Sequence, residues 1–228
     1  SRGLGDVYKR QTKYINGNGT ALAGIIIDAG TFNYGNGLFP EFNEPSPSYH
    51  GLNYHEAMGP AAFIARVGVE GLRDLGAAAS PFNSFQTIQG LETLAIRMEQ
   101  HSKNALAISE WLESQNDVSW VNYPGLSSSK YKDLAKKYLP KGQSGILTFG
   151  LKGGFNAGKK VADKTKLFSL LANIGDSKSL IIHPSSTTHS QLSSKEQKNT
   201  GVTEDLIRLS VGLENVDDLI DDLKQAIG

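Results

Sequence analysis

One lysine and one arginine stand out in this chain for settings that could support chemistry. Lys13 lies in Thr12-Lys13-Tyr14 and is followed at once by the glycine-rich run Ile15-Asn16-Gly17-Asn18-Gly19-Thr20. A primary amine condenses with an aldehyde and, once displaced, acts as a local base. Gly17 and Gly19 would let the backbone turn closely beneath it; a surface lysine followed by an ordinary strand-connecting turn fits the same residues. Arg208 lies in Leu206-Ile207-Arg208-Leu209-Ser210-Val211, where a period of two puts Ile207, Leu209 and Val211 on one face and Arg208 with Ser210 on the other. An arginine projecting from a strand grips a carboxylate through two parallel hydrogen bonds, or closes a structural salt bridge. His183 and His189 lack a third ligand nearby, so no metal is expected. His50 and His55, with Tyr49 and Tyr54, fall in a long loop that borders a substrate entrance or packs on itself. Gly35-Asn36-Gly37 and the Gly3/Gly5 pair do not follow a strand and open a helix, which excludes a dinucleotide fingerprint.

Three further segments accompany the lysine in order. They are Ser80-Pro81-Phe82-Asn83-Ser84-Phe85 running on to Gln89-Gly90-Leu91-Glu92-Thr93-Leu94 and Arg97-Met98-Glu99; His183-Pro184-Ser185-Ser186-Thr187-Thr188-His189; and Ile207 to Glu214. Together the four blocks resemble the cysteine/methionine-metabolism enzymes of the trans-sulfuration group, a family dependent on pyridoxal 5'-phosphate, and the resemblance covers residues 12–228. It implies an α/β fold class, the C-terminal part of a fold-type I pyridoxal-phosphate transferase. It implies Lys13 as the cofactor lysine, moving protons between the substrate α-carbon, the cofactor and the β-carbon. Arg208 matches the family's carboxylate-binding arginine, and Ser179, before the apolar Leu180-Ile181-Ile182, matches a serine that helps hold the same carboxylate. Thr12 would contact the cofactor phosphate; the family serine three residues before the lysine is Arg10 here.

The extended Phe39 to Gly51 region and a helix over Pro60 to Leu75 resemble the sulfhydrylase branch of the family. That implies γ-replacement, in which O-acetylhomoserine loses acetate and takes up sulfide or methanethiol to give homocysteine or methionine. A cystathionine γ-synthase or methionine γ-lyase would share the lysine and the arginine. A noncatalytic remnant serving subunit association belongs to a different class. The family places about half its chain before the lysine, including the residues that stack on the cofactor ring and pair with its nitrogen, so residues 1–228 alone are expected not to catalyse. The resemblance also implies a homo-oligomer, a tetramer in the intact parent.

Composition sets outer bounds. With 228 residues and 39% of them hydrophobic, the chain can bury a sizeable core as one large or two small domains. Lys+Arg and Asp+Glu are both 23, so no basic field invites nucleic acid. The absence of cysteine removes disulfides, thiolate metal sites and a cysteine nucleophile, and fits a cytoplasmic protein. Ala21 to Ile27 is the longest apolar run and falls far short of a membrane span.

The elements that must position Lys13 and Arg208 follow from periodicity. Ala23 to Asp28 reads as a short buried strand, and Gly30 to Asn53 as an irregular surface excursion. Ala61, Ile64, Val67, Gly68, Gly71, Leu72 and Leu75 recur at helical spacing from Pro60 to a stop near Gly76. Leu91, Leu94, Ala95, Met98 and Ala105 mark the apolar face of a helix reaching toward Trp111. Strands and helices then alternate over 118–121, 131–138, 146–151, 157–171, 180–183 and 206–211. A last helix from Val216 to Ile227 is capped by Asn215, with Asp217 and Asp218 at its positive end. The expected organisation is a non-native junction segment over 1–11, the end of the large cofactor domain over 12–105 and an α+β C-terminal domain over 106–228.

Overall fold

The computed structural model describes the backbone of Val7–Arg10 and residues 13–228. The chain packs as two compact units. Residues 22–87 with the first twelve form one, and residues 13–21 with 88–228 form the other. The division falls inside a helix near Thr87 rather than at residue 105, and the lysine run goes with the second unit.

In the first unit, β1 (Val7–Arg10) pairs antiparallel with β2 (Gly24–Ile27), the pairing running from Val7 opposite Ile27 to Arg10 opposite Gly24. The strand expected over 23–28 therefore forms, but it is not buried: Ile25, Ile26 and Ile27 are all exposed. The segment read as an irregular excursion holds α1 (Pro40–Asn43) and a 3₁₀ turn over Pro47–Tyr49, followed by α2 (Tyr54–Met58). Tyr34, Phe42, Tyr54 and Ala62 bury there as a small core. Aromatic rings supply enough apolar area to order a stretch that lacks a sustained period. The helical pattern from Pro60 becomes a 3₁₀ turn over Gly59–Ala61, α3 (Ala62–Arg66) and a π-helix over Val67–Asp74, and the chain leaves it at Gly76 with φ +71°. A π-helix accepts bonds from i+5, so the 3.6-residue stripe drifts out of register. Leu72 and Leu75 consequently face solvent within this unit, as does Ile64 of α3.

α4 (Pro81–Glu113) begins in the first unit, with Pro81 in its first turn, and runs through the second. The apolar face expected for it is real only in its last turns, where Ala105, Ile108 and Leu112 are fully buried. Before that the burial is polar: Thr87, Arg97, His101, Ser102 and Asn104 are buried while Leu91 and Ile96 are exposed.

The second unit is built on a five-stranded sheet in the order β3-β4-β7-β6-β5. The strands are β3 (Val118–Asn122), β4 (Ile146–Leu151), β5 (Ser169–Leu170), β6 (Leu180–Ile182) and β7 (Leu206–Ser210). All pair antiparallel except β5 with β6. Leu147 and Phe149 of β4 and Ile207 and Leu209 of β7 form one core with the end of α4, α6 (Gly154–Lys164) and α8 (Val216–Ile227). α5 (Lys132–Tyr138) follows the expected segment, whereas α6 stops at Lys164, short of the expected 171, and β5 takes up part of the remainder. Asp222 of α8 sets that stop by accepting the N–H groups of Lys166 and Leu167 at 2.8 Å and of Phe168 at 3.0 Å. Asn215 caps α8 by accepting from Asp217 N at 2.8 Å, as its sequence position predicts. α7 (Ser194–Asn199) has no apolar period to announce it; it is started by a capping box between Ser193 and Glu196.

Candidate active site

Lys13 opens a tight turn in which Gly17 N donates to Lys13 O at 2.9 Å. The turn is held from several sides within the second unit. Arg97 of α4 donates from Nη1 to Tyr14 O at 2.7 Å and from Nη2 to Ile15 O at 3.1 Å. Tyr14 Oη accepts from Gly145 N at 3.1 Å, and Ser177 N donates to Gly17 O at 2.6 Å. Gly175 has φ +71°, and a Cβ there would lie 2.8 Å from Tyr14 N, so only glycine lets the 173–176 loop close on the lysine turn.

That loop joins the lysine to the arginine. Lys13 Nζ donates to Asn173 Oδ1, and Arg208 Nη2 donates to Asn173 O at 3.1 Å. β7 is the middle strand of the sheet, and its alternation is as the sequence predicts: Ile207, Leu209 and Val211 are fully buried in the core, while Arg208 and Ser210 point to the other face. Ser210 Oγ accepts from Gly175 N at 2.9 Å, so Arg208 and Ser210 of β7 hold one loop. Arg208 has no carboxylate within salt-bridge distance among the described residues, and its Nε is buried without a hydrogen-bond partner. Burial pushes its pKa down, yet a guanidinium keeps its charge. Arg208 and the amine of Lys13 thus share Asn173 as a partner.

The remaining candidates fall elsewhere. Ser179 is fully buried; its N–H and Oγ donate to the two carboxylate oxygens of Glu214 at 2.7 and 2.8 Å, and its Oγ accepts from Gly212 N at 2.8 Å. Thr12 lies outside the described residues, and of Arg10 only the backbone is described. His183 is buried with Nε2 against Glu204 O at 2.7 Å and Nδ1 against Ser186 Oγ at 2.8 Å, so it locks the start of the 184–186 turn. No group of residues able to hold a metal ion occurs among the described residues. His50 and His55 belong to the first unit.

Sequence reasoning misses Asn173. Its place in Leu171-Ala172-Asn173-Ile174-Gly175-Asp176 signals only a turn, and its contact with Lys13 spans 160 residues. It also misses His101, which is wholly buried with its ring edge-on to Tyr14 at 5.2 Å. His101 Nδ1 lies 2.6 Å from Val211 O, which only accepts, so Nδ1 carries the proton and Nε2 is left buried without a partner. Burial holds its pKa below the ordinary value, the bond to Val211 opposing.

The family model described as Cys/Met metabolism PLP-dependent enzyme matches residues 3–228. The chain belongs to this family. An O-acetyl-L-homoserine sulfhydrylase of Leptospira meyeri is 54% identical over 225 residues, 95% of this chain and 51% of the relative. A homocysteine/cysteine synthase of Saccharomyces cerevisiae is 48% identical over 227 residues, 94% of this chain and 51% of the relative. Among solved structures, a Campylobacter jejuni protein described as an O-acetylhomoserine (thiol)-lyase, carrying a pyridoxyl-lysine monophosphate, superposes with a TM-score of 0.88 at 49% identity. The alignment covers 99% of this chain and 54% of that one. The chain thus spans about half the length of the relatives it matches. The residues present fit the family's cofactor and substrate type: a half-buried primary amine for an aldehyde, and beside it an arginine with an orphaned N–H for a carboxylate.

Proposed function

We propose that the chain supplies the lysine and the carboxylate clamp of a pyridoxal-phosphate enzyme that replaces the acetate of O-acetylhomoserine with sulfide or a small thiol. The observation that carries this reading is the convergence of Lys13 and Arg208 on Asn173, with Arg208 Nε unpartnered. The sulfhydrylase and homocysteine synthase names of relatives near 50% identity favour it over a cystathionine γ-synthase, a methionine γ-lyase or a noncatalytic remnant. Pyridoxal phosphate, when bound, supplies an electron sink that makes the substrate's α- and β-protons removable. Lys13 Nζ holds those protons and returns them, released from Asn173 Oδ1 when it reacts. Arg208 takes the substrate α-carboxylate on its guanidinium. Asn173, whose carbonyl accepts from Arg208 and whose side chain accepts from Lys13, links the two. Ser179 reaches the carboxylate only if Glu214 yields its N–H or hydroxyl. Thr12 would meet the cofactor phosphate. As in the resemblance from sequence, the intact protein is read as a cytoplasmic homo-oligomer, a tetramer.

The test is borohydride reduction of the cofactor-loaded full-length protein followed by peptide mass mapping. The pyridoxyl mass is expected on Lys13; its recovery on Lys9 or another lysine would end the assignment. An assay with O-acetylhomoserine and sulfide should yield homocysteine and acetate in equal amounts.

A further inference from the structure

Arg97 is a buried cation, 8% exposed, with no carboxylate within salt-bridge distance among the described residues. Its bonds go to neutral acceptors: Tyr14 O and Ile15 O, Gly90 O at 2.7 Å, and Thr93 Oγ1 at 3.1 Å from Nε. Buried charges are ordinarily paired because desolvating one is costly. Here the guanidinium instead reads two consecutive peptide carbonyls, those of the first and second residues after Lys13, while its far side is tied to its own helix. A planar fork with fixed donor directions does this; a single ammonium does not.

Two glycines serve the same contact. Gly17 has φ +77°, and a Cβ on it would overlap the Arg97 guanidinium. A Cβ on Gly90 would overlap Ile15 O and fall 2.7 Å from Asn16 O. Helix and lysine turn are thereby brought to backbone contact, with the guanidinium between them. From the arrangement we infer that Arg97 is a positioning residue for Lys13: it fixes the peptide units that follow Tyr14 and Ile15, so that Nζ is presented to Asn173. This deepens the proposed function and rests on Lys13 being the reactive amine.

Competitive acetylation of the cofactor-free full chain, read lysine by lysine by peptide mass, tests the positioning without any activity. In Arg97→Lys, Lys13 is expected to be labelled about tenfold faster relative to exposed Lys159 and Lys195, one decade corresponding to roughly 1.4 kcal/mol of lost restraint. Millimolar guanidinium added to Arg97→Ala should restore slow labelling at Lys13 alone, which a general loosening of the fold would not show. Should neither variant fold, Gly17→Ala carries the test, because it displaces the guanidinium without removing it. Unchanged Lys13 labelling in a folded variant overturns the inference whatever the enzyme does. In the full-length holoenzyme, Arg97→Lys is expected to lower kcat by up to about 100-fold with KM for O-acetylhomoserine little changed, the mark of a misplaced group. If Lys13 labelling responds but the wild-type protein carries no cofactor on Lys13, the proposed function fails and the positioning stands.

Discussion

A half-buried guanidinium with no acid within salt-bridge distance among the described residues is an unbalanced charge, and Arg208 is one. Its replacement by lysine leaves the charge but not the fork. Arg208→Lys is expected to lower kcat/KM for O-acetylhomoserine by one to two decades in the full-length enzyme, the loss of one charge-assisted bond at about 1.5–3 kcal/mol, and to do so mainly through KM. An unchanged efficiency would mean that Arg208 only holds the Asn173 carbonyl. His101 makes a pH prediction. Burial holds its folded pKa below the ordinary 6.5, so the unfolded chain takes up a proton first as the medium is acidified. Its effect on stability is absent above about pH 6.5 and grows as a loss when pH falls from there toward the folded pKa. Urea unfolding between pH 7.5 and 5 should show the slope, and His101→Gln, which still donates to Val211 O, should flatten it. The outward place of Arg208 on β7 was legible in the sequence because a period of two marks it. Asn173 was not, since the partner of a turn asparagine is decided by which loop arrives from 160 residues away.

At the scale of elements, α4 shows how burial and hydrophobicity separate. Its apolar Leu91 and Ile96 lie toward solvent in this chain, and its buried side carries Arg97, His101 and Asn104 because the chain opposite presents carbonyls: Tyr14, Ile15, Val211, Gly212 and Glu214. A hydrophobic-period search points to the wrong face for that stretch. α8 was legible in its bounds and its cap, and its apolar face meets the sheet. Asp222 on α8 interrupts that face to collect three N–H groups from the turn after α6. Burial would raise this carboxyl, but the N–H bonds from Lys166, Phe168 and Leu167, with Gln225, outweigh it and hold the pKa below 3.8. Its stabilisation is therefore present above that value and lost as pH falls through the lower, folded pKa. Asp222→Ala leaves three donors without their acceptor, and chemical denaturation should register a loss of at least about 3 kcal/mol at pH 7, taking about 1 kcal/mol or more for each.

For the whole molecule, the sequence made the second unit readable and the first less so. The sheet strands at 146–151 and 206–211 and the closing helix emerge from periodicity because each has one face on a common core. The first unit orders itself around four residues, Tyr34, Phe42, Tyr54 and Ala62, whose spacing follows no regular element. The placing of residues 13–21 with 88–228 rests on the polar grip of Arg97, Gly145 and Ser177, which no pattern in one segment reveals. The central place of β7 also divides the site by timescale. Arg208 belongs to a strand with neighbours on both sides, whereas Lys13 belongs to a turn fastened by side chains and a few loop amides. Opening β7 requires dismantling the sheet; opening the turn requires only letting go of it. Amide hydrogen exchange at Ile207 to Leu209 is expected to proceed only through global unfolding and to follow denaturant steeply, while that of Gly17 and its neighbours should be faster and nearly independent of denaturant. Arg208 would then be the standing part of this cluster, and Lys13 the part that breathes.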